Sequence, residues 1–153
     1  MSELAGHIAD ALAEPAWEQE LAGVYRQADA AISATLAREA ITCLAGGCCC
    51  RFDVQEHRLY ASTLELAYLC RHRPGDIAPA RRGLCPYQRF TQCTAHERRP
   101  LGCRTFFCRD GKGAVQGMYE PFHRRLLDLH EQAHVAYRYA ELTQALLQFF
   151  TAP

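Results

Sequence analysis

The chain has 153 residues, no net charge at neutral pH and nine cysteines. This length predicts one domain with a sizeable core, and no stretch approaches the roughly 20 apolar residues of a membrane span. The N-terminus carries acidic residues early and has no long apolar run, so we expect no secretory signal and a cytoplasmic protein. Because the cytoplasm is reducing, the cysteines favour metal binding or redox chemistry over disulfides.

The first long helix is predicted to begin at Pro15, with Glu18 and Glu20 in its first turn, where acidic side chains suit the helix dipole. Its apolar residues recur at helical spacing: Leu21, Tyr25, Ala28, Ile32 and Leu36. A helix of about 25 residues would then reach the first cysteine. Gly46 and Gly47 are predicted to end it, which places the three adjacent cysteines that follow in a loop.

Two further helices are predicted. Ser62 to Glu65 form a capping box, which opens a helix ending near residues 73–76. Residues 74–120 show little periodicity, and Pro121 begins a final helix. The apolar stripe of that helix is Phe122, Leu126, Leu129, Ala133, Ala136, Ala140, Leu147 and Phe150.

The predicted fold is mostly α, with long N-terminal and C-terminal helices packed around a loop-rich, cysteine-rich middle. We expect one domain over residues 1–153. Its parts are N-terminal helices in residues 1–42, a metal-binding region in residues 43–110 and a C-terminal helix in residues 119–151. So long an irregular segment is unusual in a compact domain, and a bound metal would stabilise it.

Eight of the nine cysteines form two groups of four. The candidate ligands are Cys43, Cys48, Cys49 and Cys50, then Cys85, Cys93, Cys103 and Cys108. Zinc and iron–sulfur sites both typically take four thiolates, so eight allow two sites, or one site with spare thiols. Cys70 lies on a predicted apolar helix face, and we interpret it as a small buried hydrophobic residue.

These motifs resemble the YkgJ-like cysteine-cluster proteins, which are named for a CxxCxxCC pattern and described as zinc- or iron-chelating domains. The second half of the resemblance rests on Cys85-Pro86, Cys93 and the stretch Arg99-Pro100-Leu-Gly-Cys103-Arg104. In the first half, Cys43, Cys49 and Cys50 match the pattern. Position 46 is Gly where the family has a cysteine, and Cys48 stands nearby. Related patterns in flagellin lysine methylases imply an iron–sulfur cluster.

We therefore expect a cysteine-ligated metal, with a four-iron cluster favoured over zinc, and a redox or accessory role toward a protein partner. A zinc-stabilised interaction module is the alternative. Residues 71–125 hold twelve basic and four acidic side chains. Arg99, Arg104 and Arg109 would offset the charge of the thiolates. A nucleic-acid surface, with bases stacked on Phe90, Phe106 and Phe107, is a less favoured reading of this basic segment.

A second motif, His130-Glu131-Gln-Ala-His134, has the H-E-x-x-H spacing of zinc hydrolases. Such an enzyme needs a third protein ligand, and Glu141 is the one carboxylate after His134. On one straight helix Glu141 would share a face with His134, which leaves little room for a substrate. We favour the interpretation that the motif is the polar shoulder of an amphipathic helix, and a metal-dependent hydrolase stays open as an alternative.

Overall fold

Six α-helices and two short antiparallel ribbons account for most of the protein in a computed structural model, which describes residues 1–43, 50–52 and 57–153. The helices are α1 Glu3–Ala13, α2 Glu18–Arg38, α3 Thr63–Cys70, α4 Leu101–Arg104, α5 Tyr119–Ala133 and α6 Leu142–Phe150. The strands are β1 Tyr60–Ser62, β2 Gln88–Arg89, β3 Gln92–Cys93 and β4 Tyr139–Glu141. Short 3₁₀ turns lie at Pro15–Trp17, Ala78–Arg82, His96–Arg98 and Gln116–Met118. The prediction of a mostly α protein is confirmed.

Helix α2 buries the face that the sequence predicts but ends earlier than expected. Its buried residues include Leu21, Tyr25, Ala28 and Ile32. The helix ends at Arg38 rather than at the first cysteine, because Ala40 adopts a left-handed conformation with φ of 52°. The amide of Ile41 then donates to the carbonyl of Leu36 at 2.9 Å, which closes the helix with a Schellman-type turn. The predicted stop at Gly46 and Gly47 lies outside the described residues.

Helix α3 begins at the predicted capping box. The Ser62 side chain accepts a hydrogen bond from the backbone amide of Glu65, and the Glu65 carboxylate accepts one from the backbone amide of Ser62. The helix ends at Cys70, shortly before its predicted end near residues 73–76. Helix α1 packs against α3 and α6, and α2 packs against α5. None of the helices in the described part of the chain combines the length and apolar character needed to cross a membrane.

The prediction of one straight C-terminal helix over residues 119–151 is wrong. Helix α5 ends at Ala133, and His134 caps it in a left-handed conformation with φ of 54°. The chain then enters β4, which pairs antiparallel with β1 so that Ala140 faces Ala61. Glu141 ends the strand and starts α6, since its carboxylate accepts hydrogen bonds from the amides of Thr143 and Gln144.

This break changes which C-terminal residues enter the core. Leu126 and Leu129 of α5 are buried as predicted, whereas Leu147 and Phe150 are only partly buried. Helix α6 instead buries Leu142, Thr143, Ala145 and Leu146. A helical stripe that is extrapolated through a strand loses its register, because strand and helix rotate side chains by different angles per residue.

Candidate metal centre

A cavity of about 390 Å³ gathers five of the six candidate ligands that the structure describes. The cysteines lining it are Cys43, Cys50, Cys85, Cys93 and Cys103. Apolar side chains complete much of the wall: Phe52, Leu59, Leu69, Tyr87, Pro100 and Leu142. The fold thus places thiols from both halves of the sequence around one shared, largely apolar space.

The β2–β3 hairpin positions Cys85 and Cys93. Cys93 pairs with Gln88 across the hairpin, and the Gln88 amide donates to the carbonyl of Cys85 at 3.3 Å. The amide and the hydroxyl of Thr94 both donate to the carbonyl of Tyr87 at 2.8 Å. These bonds fix the backbone on either side of the hairpin, so both cysteines are carried on an ordered frame.

A buried carboxylate positions the short helix α4, which carries Cys103. Glu65 is 1% exposed, and its carboxylate accepts a hydrogen bond from the amide of Leu101 at 2.7 Å. The same carboxylate accepts from the Ser62 amide at 2.9 Å and from the Tyr25 hydroxyl at 3.2 Å. One side chain therefore ties α2, β1 and α3 to the start of α4.

Arg104 holds the segment that enters α4 from the other side. Its guanidinium donates to Asp29 at 2.6 Å and to the carbonyls of Glu97 and Arg99, each at 2.8 Å. It also lies over the Tyr25 ring, 4.0 Å from the ring centroid. Because the side chain is buried and bonded to these acceptors, it acts as a brace for the chain around Cys103.

The basic residues of the middle segment differ in what they contact. Arg99 lines the cavity, as expected for a charge that stabilises thiolates. Arg104 is engaged within the fold, Arg98 lies over the ring of Tyr68 at 4.4 Å, and Arg109 is exposed. Part of the basic segment is thus used for internal cation–π contacts and hydrogen bonds.

The aromatic residues of the same segment also differ in their exposure and packing. Phe90 is 96% exposed at the tip of the β2–β3 hairpin. Phe106 stacks on the His57 ring with 4.2 Å between centroids, and Phe107 packs partly buried against the core. Of the three rings considered for base stacking, Phe90 presents its whole surface to solvent.

His96 is a candidate ligand that sequence reasoning missed. It lines the cavity beside Arg99, although 63% of its side chain is exposed, and desolvation together with the Arg99 charge holds the pKa of its imidazole below the ordinary value. This favours the neutral imidazole, which is the form that binds metals. The available signal was its position in the sequence, since it lies between Cys93 and Cys103.

The remaining cysteines do not line the cavity or lie outside the part of the chain that is described. Cys108 is exposed and absent from the cavity wall. Cys48 and Cys49 lie outside the described residues. Cys70 is buried in the core at the end of α3, and burial raises the pKa of its thiol to about 12, which suits its interpretation as a hydrophobic residue.

A single metal ion needs ligands that meet at one point. Within residues 1–43, 50–52 and 57–153, no three or more His, Cys, Asp or Glu side chains are grouped closely enough to hold one ion. The cysteines of the cavity surround a space of about 390 Å³ instead. Five cysteines therefore border one shared cavity without the close grouping that a single ion requires.

The H-E-x-x-H residues lie elsewhere, at the end of α5. His130 is buried, its Nε2 accepts from the Leu64 amide at 3.2 Å, and its Nδ1 donates to the Leu126 carbonyl at 2.7 Å. Both ring nitrogens are therefore used within the fold. His134 is the exposed left-handed cap of the helix, and the predicted shared face of His134 and Glu141 is wrong, because the helix ends between them.

The chain matches no protein-family model, no curated protein and no solved structure. The similarity to cysteine-cluster proteins therefore rests on the positions of Cys, Pro and Arg in residues 43–108 alone. Membership of that family remains a proposal.

Proposed function

We propose that this protein is a cysteine-ligated metalloprotein, in which an iron–sulfur cluster is favoured over zinc. The observation that carries the proposal is the single cavity of about 390 Å³ that five predicted cysteines share. Cys48 and Cys49 complete the candidate ligand set from the segment next to Cys50. Bound metal would also account for a long middle segment with little regular structure, since metal-binding free energy adds to folding free energy.

The five cysteines and the apolar residues that share one cavity are the observations that favour a cluster over one zinc ion. The apolar residues of the wall would shield a cluster from water, and Arg99 would offset its negative charge. A bound cluster would supply one-electron chemistry, and the cysteines of the cavity would hold it while the apolar wall would exclude water.

The role that follows is electron transfer or redox support to a protein partner. The hairpin that carries Cys93 ends in the exposed ring of Phe90, so a partner that contacts the hairpin approaches the cavity closely. The binding of nucleic acid by the basic segment has weaker support, because Arg98 and Arg104 are engaged within the fold.

The test is elemental analysis with a visible spectrum on protein that is purified without oxygen. We expect about four irons and four acid-labile sulfides per chain, with broad visible absorption. Cys85→Ser and Cys103→Ser should each remove most of the iron, because both thiols line the cavity. Cys108→Ser is the matched control and should keep most of it, since Cys108 does not line the cavity.

Two results contradict the proposal. A colourless protein with one or two zinc ions would identify the cysteines as a structural staple and favour the interaction module. Equal iron loss in all three variants would show that the cavity does not define the ligand set.

A further inference from the structure

The turn of the β2–β3 hairpin carries a residue that the rules for hairpin turns disfavour. Arg89 pairs with Gln92 across the hairpin, so Phe90 and Thr91 form a two-residue turn between the strands. Phe90 has a φ of 55°, and Gly, Asn or Asp is the residue preferred where such a turn needs a positive φ. A phenylalanine at this position strains the backbone, because its Cβ crowds the neighbouring carbonyl.

Packing within the fold does not offset this strain. The Phe90 side chain is 96% exposed, so its ring gains almost nothing from the core. Residues that break a local rule without a compensating gain in packing occur at functional sites. The ring of Phe90 is therefore available to a molecule outside the chain.

The hairpin holds this ring on a fixed frame. The Gln88 side-chain amide donates to the carbonyl of Phe90 at 3.1 Å. At the base of the hairpin, the amide and the hydroxyl of Thr94 both donate to the carbonyl of Tyr87 at 2.8 Å, and Tyr87 is buried. A frame that is already ordered loses little conformational entropy when a partner binds.

The segment around the hairpin is positively charged. Residues 77–96 contain three arginines and no acidic residue, and Asp76 and Glu97 stand only at its two ends. The arginines are Arg81, Arg82 and Arg89, and all three are exposed. A surface with charge of one sign attracts a partner with charge of the other sign, so an acidic partner is favoured.

The hairpin tip also lies next to the cysteine cavity. Thr91, Gln92 and Cys93 follow Phe90 directly, and all three line the cavity. Three residues of extended chain span only about 10 Å, so the backbone of Phe90 lies within that distance of the backbone of Cys93. A partner that binds the ring is thereby brought beside the candidate metal ligands.

A protein fits this surface better than a nucleic acid does. Proteins that bind single strands stack successive bases on several exposed rings. Here Phe106 stacks on His57 and Phe107 packs partly buried against the core, so Phe90 stands alone at the tip. One aromatic anchor beside arginines is instead typical of the centre of a protein–protein interface.

We propose that the tip of the β2–β3 hairpin is the docking site for an acidic electron-transfer protein, with Phe90 as the apolar anchor and Arg89 as a charged contact. The assignment of an electron carrier rests on the proposed redox function of the cysteine cavity. The partner offers an apolar pocket to the ring and carboxylates to the arginines around it. Its redox group then lies on the side of the cavity that Thr91 and Gln92 line.

The test measures by calorimetry how the whole protein, as purified, binds an acidic flavodoxin, which is the probe. Binding should weaken as salt rises, because it depends on exposed charges. Arg89→Glu and Phe90→Ala should each weaken binding about tenfold, a loss typical of residues at the centre of an interface. Phe90→Gly should weaken binding equally although it relieves the backbone strain, so binding and stability change in opposite directions.

Arg124→Glu and Leu127→Ala are the matched controls. They make the same kinds of change on α5, where the Arg124 side chain is 75% exposed and Leu127 is 36% exposed. None of the described residues of α5 lines the cysteine cavity. Both controls should bind flavodoxin as wild type does. Cytochrome c, a basic electron carrier, should bind wild type less tightly than flavodoxin does.

Three results overturn the docking site. The first is that flavodoxin does not bind, or binds wild type and the hairpin variants equally. The second is tighter binding of an oligothymidylate, which would assign the surface to nucleic acid. The third is a salt-sensitive dimer of the protein alone that Phe90→Ala abolishes, which would assign the surface to a second copy. A zinc-loaded protein that binds flavodoxin through Phe90 would support the docking site and contradict only the iron–sulfur proposal.

Discussion

The cysteine-lined cavity and the hydrogen-bonded tyrosine–histidine chain of Tyr119, His123, Tyr137 and Tyr139 are two chemically different regions. Leu59 lines the first cavity and also a smaller cavity that Tyr119 and Tyr139 line. Around the first, five thiols surround a common apolar space. In the second, phenols and an imidazole bond to one another at 2.6 to 3.0 Å. Thiols are weak hydrogen-bond partners and strong metal ligands, whereas phenol and imidazole satisfy each other directly. The first region thus leaves its donors available for an inorganic group, whereas the second satisfies its own donors and acceptors.

The largest effect is expected from removing the Glu65 carboxylate, which lies between the two regions. Glu65 accepts from Leu101 on the cysteine side and from Ser62, which pairs with Tyr139 across the β1–β4 ribbon. Glu65→Ala leaves these buried donors without an acceptor, and it should lower the free energy of unfolding by about 3–5 kcal/mol. Urea denaturation measures this loss, and elemental analysis should show less metal.

Glu120→Ala is the matched control for this prediction. Glu120 lies exposed on α5 and pairs with Arg124 at 3.5 Å, a contact whose removal should change stability by less than about 0.5 kcal/mol. If Glu65→Ala were no worse than Glu120→Ala, the two regions would not depend on a shared carboxylate.

The next effect is the pH dependence that the buried His130 of α5 gives to stability. Burial lowers the pKa of His130, whereas histidines of the unfolded chain titrate near about 6.5. Unfolding therefore takes up a proton below about pH 6.5, so the stability from neutral His130 is complete above that pH and is lost as pH falls through its lowered pKa. His130→Asn should cost about 1–3 kcal/mol at pH 7.5, because it disrupts the bonds to Leu64 and Leu126.

Urea midpoints at pH 7.5 and 5.5 check this prediction. Wild type should lose stability between these values, and His130→Asn should lose less. His134→Asn is the control and should follow wild type, because His134 is exposed and Asn tolerates its left-handed conformation. An unchanged pH dependence in His130→Asn would count against an uncharged, buried His130.

The cysteine region could be predicted in outline from the sequence because its residue type is rare and its chemistry is specific. Residue type and spacing alone make candidates of all five cavity thiols, Cys43, Cys50, Cys85, Cys93 and Cys103. The sequence does not separate Cys108 from them, since spacing does not report which side of a loop faces the cavity. Sequence reasoning also missed His96, because one histidine in an irregular segment carries no periodic signal.

The tyrosine–histidine chain was missed because it depends on a break in a helix. Tyr137 and Tyr139 approach His123 only because α5 ends at Ala133 and β4 follows. The interpretation of residues 119–151 as one helix followed helical apolar spacing, which continues by chance across the strand. The alternation Tyr137-Arg138-Tyr139 is typical of a strand and was the available signal. Pairing with β1 settles the choice, and that contact joins residues far apart in sequence.

The smallest effect is expected at the tip of the β2–β3 hairpin. Phe90 holds a left-handed backbone with φ of 55° while its ring is 96% exposed, so the ring contributes little packing to offset the backbone strain. Phe90→Gly relieves the strain but adds entropy to the unfolded chain, and the net gain should be about 0.5 kcal/mol. Phe90→Ala removes the same ring and keeps the strain, so it should show no gain, and any difference between the variants isolates the backbone. Iron content should stay at the wild-type level in both, because the hairpin bonds of Tyr87 and Thr94 are untouched. If Phe90→Gly were less stable than wild type, the ring would have to pack against part of the protein. If either variant lost iron, the hairpin tip would have to contribute to metal binding.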